Sequence, residues 1–307
     1  MARRTRLRSQ ITLSEEGLDT VLVVGGDSVI GGALVARLDQ MGLPTVWTTR
    51  RRDELAERAL YLDFDDEQSA WSLPKESVTS AVLCAAVTSV EACESNPDAT
   101  RKVNVDRTLV LAERLLASGT FVTFLSTDLV FDGQRSLVMI DQTTNSATQY
   151  GQQKSDAEEA LLGYGDRVAV VRLGKVISPR MPLFTQWIED LESGNVIHPF
   201  NDLVLAPISL DCVVSLLVHI TANRQGGIFH ATGPVDITYA DAAYWIADRI
   251  GVDRQMVSPV DVGHASQSCQ PVRHRALDAP FDLAEMGLTG IESLQELFYV
   301  QSDVRIR

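Results

Sequence analysis

A regular alternation of short apolar runs with longer helical segments, between residues 20 and 177, constrains the fold most. The runs VLVV, AVLCAAV, FVTFLST and VAVVRL are apolar at consecutive positions, which is typical of strands buried on both faces. Between them lie segments with apolar residues at helical spacing and with glycines at their ends. The alternation predicts an α/β fold in which helices cover both sides of a doubly wound parallel sheet.

The alternation loosens after residue 177, and this change predicts how the chain is divided. Residues 1–18 are basic and then acidic without an apolar stretch, which predicts a flexible N-terminal extension. Residues 19–177 together with 203–235 are expected to form the domain that contains the sheet. Residues 178–202 together with 236–307 are expected to form a smaller α/β part that binds the substrate.

Composition excludes several classes of partner. The formal net charge of −14 argues against nucleic acid or an anionic membrane. No run of about 18 apolar residues occurs and no apolar leader opens the chain, so we expect neither a membrane span nor a secretory signal. The four cysteines and five histidines match no metal-binding motif, so no metal is expected. Unpaired cysteines indicate a reduced, cytoplasmic location.

The stretch VLVVGGDSVIGG, residues 21–32, has the form of a strand, a glycine turn and a helix start. Gly25, Ser28 and Gly31 follow the spacing of the three glycines in a Rossmann-type loop, where the backbone approaches a pyrophosphate. A serine in the middle is unfavourable if that position needs a positive φ, but its hydroxyl could donate to a phosphate oxygen. The stretch predicts a cofactor loop, with a purely structural turn as the alternative.

The chain continues as TTRRRDE about 20 residues past this loop, where the adenosine ribose is recognised. A carboxylate there selects the 2′-hydroxyl of NAD, whereas arginine selects the 2′-phosphate of NADP. Arg50 and Arg51 precede Asp53, which favours NADP, with NAD as the alternative. A solvated run of arginines is the interpretation that involves no ligand. Asp63, farther on, is a candidate acceptor for the adenine amino group.

Tyr150 and Lys154 stand four residues apart in a helical segment and therefore lie on one face. An ammonium group beside a phenol favours the phenolate, so we expect Lys154 to lower the pKa of Tyr150. Tyr150 would donate a proton to a carbonyl group during reduction, and Lys154 would also hold the nicotinamide ribose. Ser126 and Thr127, at the end of the preceding strand, are both candidates for the hydroxyl that polarises this carbonyl.

Three segments resemble motifs of one family. AAVTSVEACESNP resembles Ala-Ala-Tyr-Thr-x-Val-Asp-x-x-Glu, STDLVFDG resembles Ser-Thr-Asp-Tyr-Val-Phe-Asp-Gly, and YGQQKSDAE resembles Tyr-Gly-x-x-Lys-x-x-x-Glu. These are motifs of the dTDP-4-dehydrorhamnose reductases, which are extended short-chain dehydrogenases/reductases. The resemblance implies a Rossmann fold, NADPH and reduction of a 4-keto nucleotide sugar. It also favours Thr127 over Ser126 as the catalytic hydroxyl.

The loop, the arginines and the resemblance together predict three groups of site residues. The catalytic residues are Thr127, Tyr150 and Lys154. The cofactor is expected to contact Gly25, Ser28, Val29, Ile30, Gly31, Arg50, Arg51, Asp63, Phe64, Ala85 and Ala86, as well as Tyr150 and Lys154. The substrate is expected to contact Thr88, Asp128 and Arg273.

The chain departs from the family pattern where the substrate would be recognised. Val87 and Leu129 stand in place of tyrosines, and Gln270 in place of an arginine, for which Arg273 is a candidate substitute. Each lost hydrogen bond is worth about 1–3 kcal/mol if its partner stays unpaired, so the resemblance implies an altered substrate.

Two other functions stay open. The regulatory subunit of methionine adenosyltransferase resembles these reductases, so a non-catalytic partner protein is one alternative. A nucleotide-sugar epimerase is the other, whereas a 4,6-dehydratase is disfavoured because Leu129 follows Asp128 where a glutamate is expected. The expected ligand is a small molecule of the nucleotide-sugar type. A homodimer is the one protein assembly we consider.

Overall fold

The computed structural model describes residues 20–75, 77–179, 181–262, 272–279 and 283–298. Its strands, in chain order, are β1 (Val21–Val24), β2 (Thr45–Thr49), β3 (Ala59–Tyr61), β4 (Ser80–Leu83), β5 (Phe121–Thr127), β6 (Val168–Leu173), β7 (Lys175–Ile177), β8 (Val204–Leu205), β9 (Pro207–Ser209), β10 (Gly227–Ala231) and β11 (Ile237–Thr238). Seven of them form one sheet in the order β10-β6-β5-β4-β1-β2-β3, with every neighbouring pair parallel. The predicted parallel α/β fold is confirmed.

The helices, in chain order, are α1 (Val29–Gln40), α2 (Val90–Ser95), α3 (Pro97–Arg101), α4 (Thr108–Ala117), α5 (Gln149–Leu162), α6 (Pro182–Glu192), α7 (Leu210–Asn223) and α8 (Tyr239–Ile250). A π-helical stretch, Lys102–Arg107, joins α3 to α4. Five of these helix starts carry hydroxyl N-caps whose side-chain oxygens accept a backbone N–H of the first turn: Ser28, Ser89, Thr148, Ser209 and Thr238. Such caps contribute about 1 kcal/mol each and set where the helices begin.

Strand alternation distributes the core over both faces of the large sheet. In β1, Val21 and Val23 join the cluster beneath α1 and α7, whereas Leu22 and Val24 join the cluster beneath α4 and α5. All seven residues of β5 are buried because it lies in the middle of the sheet. Burial of each large apolar side chain stabilises the fold by about 1.5–3 kcal/mol, so these two clusters account for much of the stability.

A third apolar cluster lies in the later part of the chain, where α6 packs against α8 through Phe184, Trp187 and Ile246. Two small sheets adjoin it, β8 with β11 antiparallel and β7 with β9 parallel. Trp187 and His198 belong to this region, Trp187 in the apolar cluster and His198 exposed, with Nδ1 3.1 Å from the carbonyl oxygen of Ser258. The boundaries between the two parts of the chain stay a prediction.

Some expectations fall on residues that the structure does not describe, namely the N-terminal extension, residues 1–18, and Gln270. Among the described residues, no helix has the length and apolar character needed to cross a membrane.

Candidate active site

The glycine loop joins β1 to α1 at the carboxyl edge of the sheet. Gly25 has φ +82, and its N–H donates to Thr48 Oγ1 at 3.0 Å. A β-carbon on Gly31 would stand 2.2 Å from the carbonyl oxygen of Gly25. Only glycine fits at residues 25 and 31, because a side chain there would strain the turn or separate the helix from the strand.

Ser28, at the middle position of the loop, has φ −77 and ψ 164, an extended conformation open to any residue. Its hydroxyl oxygen accepts the N–H of Gly31 at 3.1 Å, and the hydroxyl donates to the carbonyl oxygen of Gly25 at 2.7 Å. The serine therefore caps α1 and braces the loop. Donation from this hydroxyl to a phosphate stays a prediction, and it would require the hydrogen to turn away from Gly25.

A cleft of about 520 Å³ opens beside this loop, along the ends of β1, β2 and β4. It is lined by most of the residues that the sequence assigns to cofactor or substrate: Gly25, Ser28, Val29, Ile30, Arg50, Arg51, Asp63, Phe64, Ala85, Ala86 and Thr88. Gly31 lies beneath the loop rather than in the lining. The lining also includes Asp27, Thr49, Cys84 and Val87, which the sequence reasoning did not assign.

The two arginines at the rim of the cleft differ in their surroundings. Arg51 bonds Glu54 at 2.6 Å, and its Nε lies 3.6 Å from Asp27 Oδ2. Arg50 is exposed, and no described carboxylate lies within ion-pair distance of its guanidinium. Arg50 therefore keeps its donors available to a ligand, whereas Arg51 is already neutralised. Asp63 also lines the cleft, and its Oδ1 accepts the N–H of Asp65 at 3.0 Å.

At the end of β5 the two candidate hydroxyls behave differently. Thr127 Oγ1 donates to Asp128 Oδ1 at 3.1 Å and accepts the N–H of Leu129 at 3.2 Å. Ser126 Oγ is buried and has no hydrogen-bond partner among the described residues. Thr127 is thus joined to the polar group that follows the strand, while Ser126 is enclosed by the core.

Tyr150 and Lys154 lie one turn apart on α5, and both are buried, with 7% and 3% of their surface exposed. Lys154 Nζ lies 4.2 Å from the ring centroid of Phe124, a cation–π contact on β5. Burial lowers the pKa of Lys154 to about 8, although the carboxylate of Glu158 opposes this shift. The Lys154 charge also acts on the thiol of Cys84, which lines the cleft.

The expectation that Lys154 lowers the pKa of Tyr150 is wrong for this structure. Burial raises the pKa of the Tyr150 phenol above its usual value, and the charges of Asp128 and Cys93 raise it further. Removal of the phenol from water disfavours the phenolate, and the Lys154 charge does not offset this shift. Tyr150 therefore carries its proton at neutral pH.

Asp128 is the centre of a polar group that sequence reasoning only partly identified. Arg275 Nε lies 3.8 Å from Asp128 Oδ2, and the Asp128 charge also acts on Lys175 and Tyr239. Burial raises the pKa of Asp128, while Arg275 opposes that shift. Arg273, the residue predicted to supply a charge, is exposed, and its backbone N–H donates to Gly133. Arg275, two residues later, faces the site instead, and its backbone N–H is held by Asp236 Oδ1 at 2.7 Å.

Asn104, in the π-helical stretch, holds the cleft against α5. Its side-chain oxygen accepts the N–H of Val87 at 2.8 Å, and its amide donates to the Val87 carbonyl at 2.9 Å and to Gln153 Oε1 at 2.8 Å. The π turn brings Asn104 to face both partners, a placement that helical periodicity does not predict. The loop after β4 is thereby fixed beside the helix that carries Tyr150.

A buried ion pair supports α5 from the other side. Arg172 on β6 contacts both carboxylate oxygens of Glu158, at 2.8 to 3.2 Å, and both side chains are almost fully buried. His230 Nε2 lies 3.3 Å from Arg172 Nη1, and His230 Nδ1 lies 2.8 Å from the Asp278 carbonyl. Burial lowers the pKa of His230 to about 4, so it is neutral and structural. No group of three metal-ligating side chains occurs among the described residues.

Comparison with known proteins identifies the family of this chain. The family model described as the RmlD substrate binding domain matches residues 19–291. A probable low-salt glycan biosynthesis reductase, Agl14, of Haloferax volcanii is 25% identical over 86% of this chain and 91% of its own length. The dTDP-4-keto-6-deoxy-D-glucose reductase of Streptomyces niveus is 27% identical over 79% of this chain and 82% of its own. The methionine adenosyltransferase 2 subunit beta of Mus musculus is 25% identical over 78% and 75%.

A solved structure shows the same fold. The crystal structure of a dTDP-4-dehydrorhamnose reductase from Bacillus anthracis in complex with NADP superposes with a TM-score of 0.75 at 16% identity, over 92% of this chain and 99% of that one. The family match spans the glycine loop, Thr127, Tyr150 and Lys154. The resemblance predicted from the three motifs is confirmed: the chain belongs to the RmlD substrate-binding-domain family.

Proposed function

We propose that this protein is an NADPH-dependent reductase of a 4-keto nucleotide sugar. The observation that carries the proposal is the placement of buried Tyr150 and Lys154 on one face of α5, a helix that Asn104 joins, through Gln153, to Val87 in the cleft lining. Thr127 and Asp128, at the end of β5, lie beside the first turn of α5, because Leu129 and Gly151 are in close backbone contact. A proton donor thus stands beside a cleft built for a dinucleotide.

The residues of the cleft fit such a cofactor. Gly25 allows the tight turn and Gly31 allows α1 to pack closely against it, so the start of α1 lies at the cleft and favours an anion there. Exposed Arg50 suits a 2′-phosphate, which supports NADPH over NADH. The NADP complex of the Bacillus anthracis reductase supports the same choice. When bound, this cofactor supplies a hydride to the carbonyl carbon of the substrate.

The side chains of this chain supply the proton. The Tyr150 phenol is protonated at neutral pH and can donate its hydrogen to the carbonyl oxygen of the substrate as that oxygen becomes an alkoxide. The product is then a hydroxyl group and a tyrosinate, which regains its proton from solvent, while Lys154 would hold the nicotinamide ribose. Thr127 stabilises the developing oxyanion with its hydroxyl once that hydrogen turns from Asp128 to the substrate.

A second candidate function is that of a non-catalytic partner protein. The similarity to the methionine adenosyltransferase 2 subunit beta over 78% of this chain favours it, because that relative is named as a subunit. Retention of Thr127, Tyr150 and Lys154 together favours the reductase. An epimerase, with the same catalytic residues, would use its cofactor without net consumption.

Titration of the purified protein with NADPH and NADH is the first test, followed by assays with dTDP-4-keto sugars. We expect NADPH to bind more tightly than NADH and to be consumed in proportion to the sugar reduced. Tyr150→Phe should lower kcat about 10²–10⁴-fold with NADPH binding unchanged. Sugar conversion without NADPH consumption would indicate an epimerase. NADPH binding without turnover of any keto sugar would favour the partner protein.

A further inference from the structure

Two cations and one carboxylate meet just beyond the catalytic threonine. Thr127 at the end of β5 is paired with Leu173 at the end of β6, and neighbouring parallel strands lie about 5 Å apart. Asp128 comes directly after Thr127. Lys175 comes two residues after Leu173 and begins β7. The carboxyl ends of β5 and β6 thus bring Asp128 and Lys175 to the same edge of the sheet.

Arg275 reaches this group from a distant part of the chain and is firmly held there. Asp236 Oδ1 accepts the backbone N–H groups of Arg275 and Ala276, both at 2.7 Å. The Arg275 side chain is 16% exposed, and its Nε lies 3.8 Å from Asp128 Oδ2, which exceeds hydrogen-bond distance. The guanidinium therefore keeps donors available for a second oxyanion.

Lys175 is the second cation with unused donors. It is half-buried, and no described carboxylate lies within ion-pair distance of its ammonium group. Burial lowers its pKa, and the Asp128 charge only partly offsets this shift. Asp128 and Asp236 balance the charge of these two cations, but the backbone of residues 275 and 276 already occupies Asp236. The ammonium and guanidinium groups therefore retain donors for an added anion in a poorly solvated place.

We propose that Lys175 and Arg275 bind a negatively charged group on the sugar ring of the substrate, so that the substrate is an acidic keto nucleotide sugar rather than a neutral one. This inference rests on the proposed function. The anion is assigned to the ring because both cations surround Asp128, whose carboxylate contacts the Thr127 hydroxyl at the carbonyl site. Cations that serve the diphosphate would stand away from the reacting carbonyl.

The test compares two pairs of ligands by calorimetry, the thymidine and uridine diphosphate derivatives of glucose and of glucuronic acid. Within a pair the ligands differ only by a hydroxymethyl or a carboxylate group. The full chain should bind the glucuronic acid derivative about tenfold more tightly, which corresponds to roughly 1.4 kcal/mol. Lys175→Met and Arg275→Gln should each remove this preference, and Lys175→Arg should keep it. Lys75→Met, at an exposed lysine, is the matched control.

Equal affinities within both pairs would overturn the inference, as would a preference that survives Lys175→Met and Arg275→Gln. A loss that is equal for the neutral and acidic sugars would assign the cations to the diphosphate and overturn it too. If the protein binds NADPH but none of the four sugar nucleotides, the inference is also overturned. Failure to bind NADPH would refute the proposed reductase. The preference for the glucuronic acid derivative over the glucose derivative is a separate measurement on the same protein samples, so the two failures can be told apart.

Discussion

Gly151 and Leu129 touch backbone to backbone: a β-carbon on residue 151 would stand 2.0 Å from the Leu129 carbonyl oxygen. Leu129 belongs to the short turn that carries Asp128, and Gly151 follows Tyr150 in the first turn of α5. The glycine after the tyrosine therefore allows the helix to press against the end of β5. The separation between the tyrosine and the residues Thr127 and Asp128 depends on this contact.

Gly151→Ala should destabilise the protein by about 1–3 kcal/mol, because backbone must move to admit the methyl group. It should also lower keto-sugar reduction more than NADPH binding, since Tyr150 shifts with the helix. Urea denaturation and steady-state kinetics measure the two effects. Gly163→Ala is the control at the other end of α5, where the added carbon would lie 3.3 Å from the nearest carbonyl oxygen. Equal effects of the two substitutions would contradict the explanation.

Lys154→Met should stabilise the protein at neutral pH by up to about 3 kcal/mol, the difference between a pKa of 10.5 and one of about 8. Because burial lowers the pKa of Lys154 in the folded state, the unfolded chain binds more protons between these two values. The stability of the parent protein therefore rises with pH across this window, and the advantage of the methionine variant shrinks.

Urea denaturation from pH 7 to pH 10.5 measures this difference, and Lys75→Met serves as a control at an exposed lysine. Keto-sugar reduction should be lost in Lys154→Met although its stability increases. A stability difference that stays constant with pH would show that burial of the charge is not its cause.

Ser28→Ala should lower the free energy of unfolding by about 1 kcal/mol, because Gly31 N–H loses the oxygen that caps α1. Ser28→Gly should be milder in stability and should not improve NADPH affinity, since φ at this residue is already negative. Thermal unfolding and calorimetric titration give both quantities. A large gain in NADPH affinity in Ser28→Gly would mean that the serine obstructs the pyrophosphate.

Arg50→Ala should reduce the preference for NADPH over NADH by about 1–3 kcal/mol, because the 2′-phosphate loses a charged donor. Arg51→Ala should have a smaller effect on this preference, since Glu54 and Asp27 already engage Arg51. Arg52→Ala is the control, with a guanidinium stacked on Tyr61 at 3.7 Å. Titration of the three variants with both cofactors tests this order. If all three lose the same amount of preference for NADPH, the arginines act only through their summed positive charge and not through a specific contact.

Glu158→Gln should destabilise the protein by about 3–5 kcal/mol, because Arg172 would remain buried without its charged partner. Asp156→Asn, on the same helix, removes the partner of solvent-accessible Arg101 and should cost less than about 1 kcal/mol. Urea denaturation at neutral pH measures both. If both variants lose a similar free energy of unfolding, burial of the Arg172–Glu158 pair is not the reason for its contribution to stability.

The sheet and the cofactor cleft were predictable because their signals are local. Consecutive apolar residues mark each strand, and residues at the carboxyl ends of parallel strands must share one edge, which brings Ser28, Arg50, Asp63 and Ala85 into one cleft. Tyr150 and Lys154 share a helix face by periodicity alone.

The substrate side was not predictable in the same way. Lys175 and Arg275 come from segments a hundred residues apart in the sequence, and the position of Arg275 depends on the hydrogen bond from its backbone to Asp236. The raised pKa of Tyr150 likewise follows from burial, which spacing does not reveal. Asp27 stands within the glycine loop itself, and its partnership with Arg51 could have been considered from the sequence.

The position of β10 at the edge of the large sheet has a consequence for biosynthesis. Residues Gly227–Ala231 pair with Ala169–Leu173, so the sheet lacks its last strand until the ribosome has made more than two-thirds of the chain. Until then β6 presents an open row of backbone donors and acceptors that a second nascent chain could occupy. Fragments ending near residue 178 should therefore aggregate rather than fold, and chaperone dependence should fall sharply once β10 has emerged.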